Sequence, residues 1–431
     1  MRIHSKTTRS IAIGAALAGY AVPGVLGWGA AGHEIVATIA QIYTEPVALQ
    51  RLCQVLNAHG GTNFVDDAPT DRWATSSARI EGDWPCHLAS VATWADTYKY
   101  SMRWSAPLHY VNAIGDHPSD TCMFPGSDGW AGRPGINVLG GIFNTSNILL
   151  DWADGEDANV ELAEEALKFI VHFVGDLHMP LHLVGRDRGG NGVEVCWEGR
   201  RASLHSVWDG LIIAKAIRQT PYNYTKPLPG GFERVEKNLR EAIYDPFVRR
   251  IVWEGIEGKW ADDLEAWIGC PTGEEQAERE EAGEQSVWAT LGDFFLPGWF
   301  TRRSANVPST DTKFICPYHW AKPIHALNCE LIWPKDLDSD DLASRAVSSG
   351  PRRPRCKRFP HPHLNGFDVE NEELEANEVD GEPPYELDNP SYTKPIEERM
   401  LLEQFLAQGG IRLAAILNYI FGDGASVKLV Y

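Results

Sequence analysis

His172-Phe-Val-Gly-Asp176-Leu-His178-Met-Pro-Leu-His182 carries three histidines and an aspartate within eleven residues. His172 and Asp176 are four apart, so on a helix they share one face, one turn apart. The run before them, residues 163–174 (AEEALKFIVHFV), spaces its apolar side chains as a helix does. Pro180 then turns the chain and brings His182 back towards the same place. The four-residue spacing recurs in Leu204-His205-Ser-Val-Trp-Asp209-Gly210. One such pair is a weak signal. Two of them, with a further histidine six residues after the first aspartate, point to a multinuclear metal site on a helical frame.

Outward from that stretch, helical spacing predicts helices over 31–56, with His33 in the first turn, and over 138–152. It also predicts helices over 204–218, within 232–267, and over 396–421 as a terminal core helix. Gly189-Gly-Asn191-Gly192 opens a tight turn, and 193–197 reads as one strand of a hairpin. Trp94-Ala-Asp96-Thr-Tyr-Lys99 and Pro107-Leu-His109-Tyr110-Val-Asn112 lie in loop-rich sequence, before a Gly-, Pro- and Asp-rich loop over 115–135. The expected fold is mainly α: a single helical domain with a small β-hairpin and long inserted loops. No internal repeat is present.

The 431 residues include 43% hydrophobic side chains, enough for a sizeable core. The net charge of -20 is unevenly spread. Residues 262–284 hold nine acids against Arg279, and residues 368–388 hold ten acids and no base. The remainder is close to neutral, so the two runs read as surface inserts, at about 271–313 and 336–389. The second insert, with its basic cluster at 352–358, has the composition of a disordered segment. A polyanionic substrate stays compatible with this balance, because bound cations make a cleft locally positive.

Residues 1–27 read as a secretion signal: Arg2, Lys6 and Arg9 precede an apolar stretch over 11–26 that is short for a membrane span. Cleavage is expected before Trp28, and no later segment is long enough to span a bilayer. Eight cysteines, an even number in an exported chain, read as disulfides. Nearness in sequence suggests Cys53 with Cys86 and Cys270 with Cys316, and leaves Cys196 and Cys356 without an assigned partner. Asn144-Thr-Ser and Asn223-Tyr-Thr are glycosylation sequons.

Metal chemistry needs deprotonated nitrogen and oxygen ligands converging on one pocket. In chain order the candidates are Trp28 (its amine once freed), His33, Asp96, His109, His172, Asp176, His182, His205 and Asp209. Imidazole and carboxylate without thiolate suit catalytic Zn²⁺. His178 faces away from the His172–Asp176 pair and reads as a supporting residue.

This set resembles the S1/P1 nuclease family. The residues that carry the resemblance are Trp28-Gly-Ala-Ala-Gly-His33, Trp94-Ala-Asp96, Leu108-His109-Tyr110, the stretch 172–182, Gly189 to Gly192, and Leu204-His205-Ser-Val-Trp-Asp209. Cys316-Pro-Tyr-His-Trp-Ala, Ala326-Leu-Asn-Cys329 and Gly410-Ile-Arg412 extend it.

The resemblance implies a helical catalytic domain of the phospholipase C/P1 nuclease type over 28–424, with 425–431 as a tail. It implies three zinc ions: one on Asp96, His109, His172 and Asp176, a second on Trp28, His33 and the shared Asp176, and a third on His182, His205 and Asp209. It implies a secreted endonuclease that hydrolyses single-stranded DNA and RNA to 5′-phosphate products and also acts on 3′-nucleotides, with no obligate protein partner. In that reaction a hydroxide held between two zincs attacks phosphorus and the third zinc stabilises the leaving 3′-oxygen. Asp96 orients the water, and Lys99, where the family usually has Arg, faces the phosphate without a bidentate fork. Tyr110 is the ring on which a base stacks, and Asn112 stands where an Asp often contacts the base, so an added donor is expected to change base preference. Asn191 joins them as a substrate residue, and Cys122 pairs with Cys329. The alternative in the same superfamily is a zinc-dependent phospholipase C-like phosphodiesterase.

Overall fold

The computed structural model describes residues 28–57, 86–271, 310–338, 356 and 384–423. The expected signal, most of both expected inserts and the tail lie outside the described residues. Five helices build the frame around the site: α1 (Ala30–Tyr43), α2 (Pro46–Leu56), α3 (Trp94–Tyr98), α4 (Val138–Ala153) and α5 (Val160–Leu177). The single helix expected over 31–56 is two. Pro46 has no amide hydrogen to donate and opens α2 at its first position, while Thr44 and Glu45 adopt extended backbone. Asn137 and Asn159 cap α4 and α5, each side-chain oxygen accepting an amide three residues on, from Gly140 and Leu162, at 3.0 Å.

β1 (Glu194–Trp197) and β2 (Arg200–Ser203) form the one hairpin among the described residues, antiparallel with Glu194 opposite Ser203 and Trp197 opposite Arg200. Glu198 and Gly199 turn it with positive φ angles of 49° and 73°. The backbone at Tyr385–Leu387 runs parallel along Cys196, with the Cys196 amide donating to Tyr385 and the Leu387 amide donating back, both at 2.8 Å. Residues 384–389, within the expected second insert, thus pack on the hairpin, and Asp388 pairs with buried Lys215 at 2.7 Å.

After the hairpin the chain is helical over Leu204–Ser206, widens into a π turn over Val207–Leu211, and continues as α6 (Ile212–Gln219). α7 (Pro317–Leu327) follows the first insert. The terminal helix expected over 396–421 starts earlier and is broken. α8 (Pro390–Arg399) and α9 (Leu401–Phe421) meet at Met400, whose left-handed backbone (φ 53°) bends the pair by 42°. Among the described residues no single helix is long and apolar enough to cross a membrane.

α1 lies along α9 and α4 along α5, and α9 also meets α2, α4 and α5. Ile35, Ile39, Phe169, Phe173, Phe405 and Ile411 are all at most 2% exposed in this core. Each such side chain contributes roughly 1.5–3 kcal/mol by leaving water. The packing therefore holds the ends of α1 and α5 in place. Four disulfides add Cys53–Cys86, Cys122–Cys329, Cys196–Cys356 and Cys270–Cys316. The pairing that sequence proximity could not supply, Cys196–Cys356, spans 160 residues and joins the second insert to β1.

Candidate metal centre

Six segments deliver the side chains. α1 presents His33 in its first turn, α3 presents Asp96, and a 3-10 turn at Ala106–His109 presents His109. The last two turns of α5 carry His172 and Asp176, the turn Pro180–Leu183 carries His182, and the run after the hairpin carries His205 and Asp209. Asp209 lies in the π turn, a distortion the helical pattern of 204–218 does not reveal.

Asp176 is the focus. Its Oδ2 lies 3.0 Å from His109 Nδ1 and 3.2 Å from His172 Nε2. Its Oδ1 lies 3.3 Å from His182 Nδ1 and 3.4 Å from His33 Nε2. Asp96 Oδ1 stands 3.7 Å from His172 Nε2 and 3.8 Å from His109 Nδ1. His33 and His172 stack with ring centroids 3.8 Å apart. His205 Nε2 approaches Asp209 Oδ2 at 3.7 Å, and the His182 and His205 rings stack at 5.2 Å. Three clusters result, each able to hold a metal ion: His33 with His172 and Asp176, Asp96 with His109 and His172, and His182 with His205 and Asp209.

These residues fit metal ions on their own chemistry. His172 Nε2 and His109 Nδ1 are 3.1 Å apart, two ring nitrogens aimed at each other. His33 makes no hydrogen bond through either nitrogen, and Asp176 Oδ1, Asp209 Oδ1 and His109 Nε2 are likewise buried without one. Such orphaned donors and acceptors are costly unless a ligand satisfies them. Three imidazoles are meanwhile oriented through Nδ1 onto carbonyls at 2.7 Å: His172 on Ala92, His182 on His109 and His205 on Gly189. Carbonyl acceptors of this kind fix ring orientation in metal sites.

Two glycines make the geometry possible. A Cβ on Gly175 would stand 2.5 Å from His33 Nδ1, so only glycine lets α1's histidine reach α5. Gly189, at φ +63°, would put a Cβ 2.5 Å from the Leu181 carbonyl, and its own carbonyl orients His205.

The charges are mutually arranged. Burial raises Asp176, yet His172 and His182 outweigh it and hold the carboxyl well below the usual range. Burial disfavours charge on His172, yet Asp176 and Asp96 push it up to about 9. Burial and then the charge of His172 lower His33. Burial, followed by Asp96 and Asp176, raises Asp209 well above a normal carboxyl. Asp176 is thus held ionised among the imidazoles, whereas Asp209 ionises readily only with a cation beside it.

Trp28 is fully buried at the start of the described chain, and the Gly29 amide after it donates to the Asp209 carbonyl at 2.6 Å. Lys99 is 7% exposed, with Nζ 3.1 Å from Asp96 Oδ1. Tyr110 and Asn112 line one cavity of about 400 Å³, which Asn191 does not line. Asn191 stays on the Gly189 loop and donates to the Arg188 carbonyl at 2.9 Å. Asn112 is satisfied when its Nδ2 donates to the carbonyls of Val184 (3.2 Å) and Val111 (3.1 Å). Its donor is spent on the backbone, and the acceptor Oδ1 is left, as on an aspartate.

His178 is the supporting residue its position suggested. Its Nδ1 donates to the Val174 carbonyl and its Nε2 accepts from buried Arg412, both at 2.7 Å. A fourth cluster, Asp116, Cys122 and His325, is not a further metal site, because Cys122 is in a disulfide. Asn144 is 0% exposed inside α4, so the folded chain has no room for a glycan there, whereas Asn223 is exposed.

The family model described as S1/P1 Nuclease matches residues 28–290. The chain belongs to the S1/P1 nuclease family. Among its relatives, Endonuclease 2 of Arabidopsis thaliana is 32% identical over 256 residues, 58% of this chain and 71% of that protein. Nuclease S1 of Aspergillus oryzae (strain ATCC 42149 / RIB 40) is 37% identical over 185 residues, 42% of this chain and 53% of the relative. Nuclease P1 of Penicillium citrinum is 31% identical over 192 residues, 44% and 60% respectively. As an S1/P1-family nuclease the chain is a hydrolase of phosphodiester bonds, and its three His/Asp clusters are candidate metal sites of that activity.

Proposed function

We propose that this chain is a secreted, zinc-dependent endonuclease that hydrolyses single-stranded DNA and RNA to 5′-phosphate products and also acts on 3′-nucleotides. The observation that carries the reading is Asp176, with four imidazole nitrogens within 3.4 Å of its two oxygens. The ligands would be Asp96, His109, His172 and Asp176 for one ion, Trp28, His33 and Asp176 for its close partner, and His182, His205 and Asp209 for the third. Zinc at these positions supplies Lewis acidity and activates water.

The chain's own groups do the rest. Asp96, pulled below a normal carboxyl by His172, His33 and His109 against the effect of burial, stays ionised to accept a hydrogen bond from the attacking water and orient it. Lys99, held beside Asp96, offers its ammonium to a non-bridging phosphate oxygen. The Tyr110 ring stacks any base, which suits a sequence-tolerant enzyme. Asn112 Oδ1 accepts from an exocyclic amino group, which favours bases that carry one. Four disulfides support an exported location, with Trp28 becoming a ligand once the signal is removed after Gly27.

The test is to purify the secreted protein, determine its N-terminus and its zinc per chain, and analyse the ends of single-stranded DNA digests. The expected result is Trp28 at the N-terminus, about three zincs, 5′-phosphate ends, and activity lost to a chelator. Products with 3′-phosphate ends, or full activity after chelation, would refute the reading.

A further inference from the structure

The Tyr110 cavity has two walls far apart in sequence. One is Arg103, Trp104, Tyr110 and Asn112, and the other is the loop with Arg133 leading into Asn137. Backbone bonds lock the walls together: the Ala131 amide donates to the Asn112 carbonyl at 2.8 Å and the Val138 amide to the Tyr110 carbonyl at 3.1 Å. Trp104 packs edge-on to Phe169, ring centroids 5.5 Å apart, which fixes the floor. The cavity is therefore preformed, and it adjoins the metal cluster because Tyr110 follows the candidate ligand His109.

Arg103 and Arg133 stand exposed at its rim. Two other cations near the centre are engaged, Lys99 with Asp96 and Arg186 with Asp338. Neither Arg103 nor Arg133 has a side-chain hydrogen bond or an ion pair among the described residues. Two guanidiniums thus share the mouth of one cavity on a chain of net charge -20. Their spacing in sequence, thirty positions with a long loop between, gives no local structural reason for the pairing. A nucleobase in the slot would have its own phosphate towards the metal cluster and its neighbours' phosphates at the rim. Guanidinium forks match phosphate oxygens there.

We propose that Arg103 and Arg133 bind the phosphates of nucleotides flanking the one stacked on Tyr110. They would make the site select an extended single strand over a mononucleotide. This rests on the nuclease reading above. The arginines act as positioning residues: they hold the strand and touch no reacting atom.

The test compares wild type with Arg103→Ala/Arg133→Ala and Arg103→Lys/Arg133→Lys double variants, each checked for unchanged zinc content and melting temperature. The substrates are a 3′-mononucleotide, which has no flanking phosphate, and a short single-stranded DNA oligonucleotide at several salt concentrations. The alanine variant is expected to keep kcat/KM on the mononucleotide and to lose roughly tenfold to a hundredfold on the oligonucleotide at low salt, with a log–log salt slope shallower by about 1.4. The lysine variant is expected to recover most of the slope, because charge is kept. Equal losses on both substrates, or an unchanged slope, overturn the inference alone. A wild type that cleaves neither substrate overturns the nuclease reading and this inference with it.

Discussion

Gly175 shows how much of the site depends on a side chain that is absent. Gly175→Ala would place a methyl group 2.5 Å from His33 Nδ1 and push that ring out of its cluster while leaving α5 helical. Zinc affinity is expected to fall roughly tenfold to a hundredfold with little change in helicity. Zinc titration alongside circular dichroism would show this, and unchanged affinity would mean that His33 is not a ligand. Lys99→Ala is expected to lower kcat/KM on a 3′-nucleotide about a hundredfold or more, whereas Lys99→Arg should stay within about tenfold of wild type. Steady-state kinetics at matched zinc content decide it, and an active alanine variant would remove Lys99 from the reaction. At this scale the histidines and aspartates that converge on Asp176 were legible as candidate ligands, because metal binding demands few residue types at tight spacing. The Asn112 amide was not, since its direction depends on carbonyls at Val184 and Val111. Arg103 and Arg133 escaped notice because only the folded loop brings them to one cavity.

Just after Cys86, a short 3-10 turn at Leu88–Ser90 depends on one histidine. His87 Nδ1 accepts from the Ala89 amide at 3.1 Å, so Nε2 carries the hydrogen and donates to the Asn238 carbonyl at 3.0 Å. Burial, and then the charge of Arg240, lower this imidazole to about 3. Below about pH 6.5 the unfolded chain takes up a proton that the folded chain refuses. The stability His87 contributes is therefore complete above pH 6.5 and drains away as pH falls towards 3, on the order of 5 kcal/mol in all. Thermal melts from pH 7 to 4 should show that slope, and His87→Gln should flatten it. An unchanged slope in the variant would assign it elsewhere. Helices were largely legible as elements, and α4 and α5 emerged close to their expected spans. The break at Pro46 could have been read, because proline opens helices. The left-handed Met400 and the π turn holding Asp209 could not, since tertiary packing imposes both on sequence with ordinary helical spacing.

Across the whole molecule, acidic side chains are bunched along the sequence, most densely over 368–388. Residues 357–383 hold eight acids against Lys357 and Arg358, and replacing them with a short neutral linker is expected to speed cleavage of long single strands at low salt and to leave mononucleotide turnover unchanged. Equal rates for both proteins on long strands would leave the run with no electrostatic part in substrate choice. The disulfides carry a separate consequence for limited proteolysis. Cys53–Cys86 encloses 58–85, Cys270–Cys316 encloses 272–309, and Cys196–Cys356 encloses 339–355 with its arginines. A trypsin cut in any of these would leave a two-chain protein joined by a sulfur bridge, one band without reductant and two with it. A cut within 357–383 falls outside every bridge. It would leave α9 attached to α1 by packing alone, so a denaturing gel would release that fragment with or without reductant.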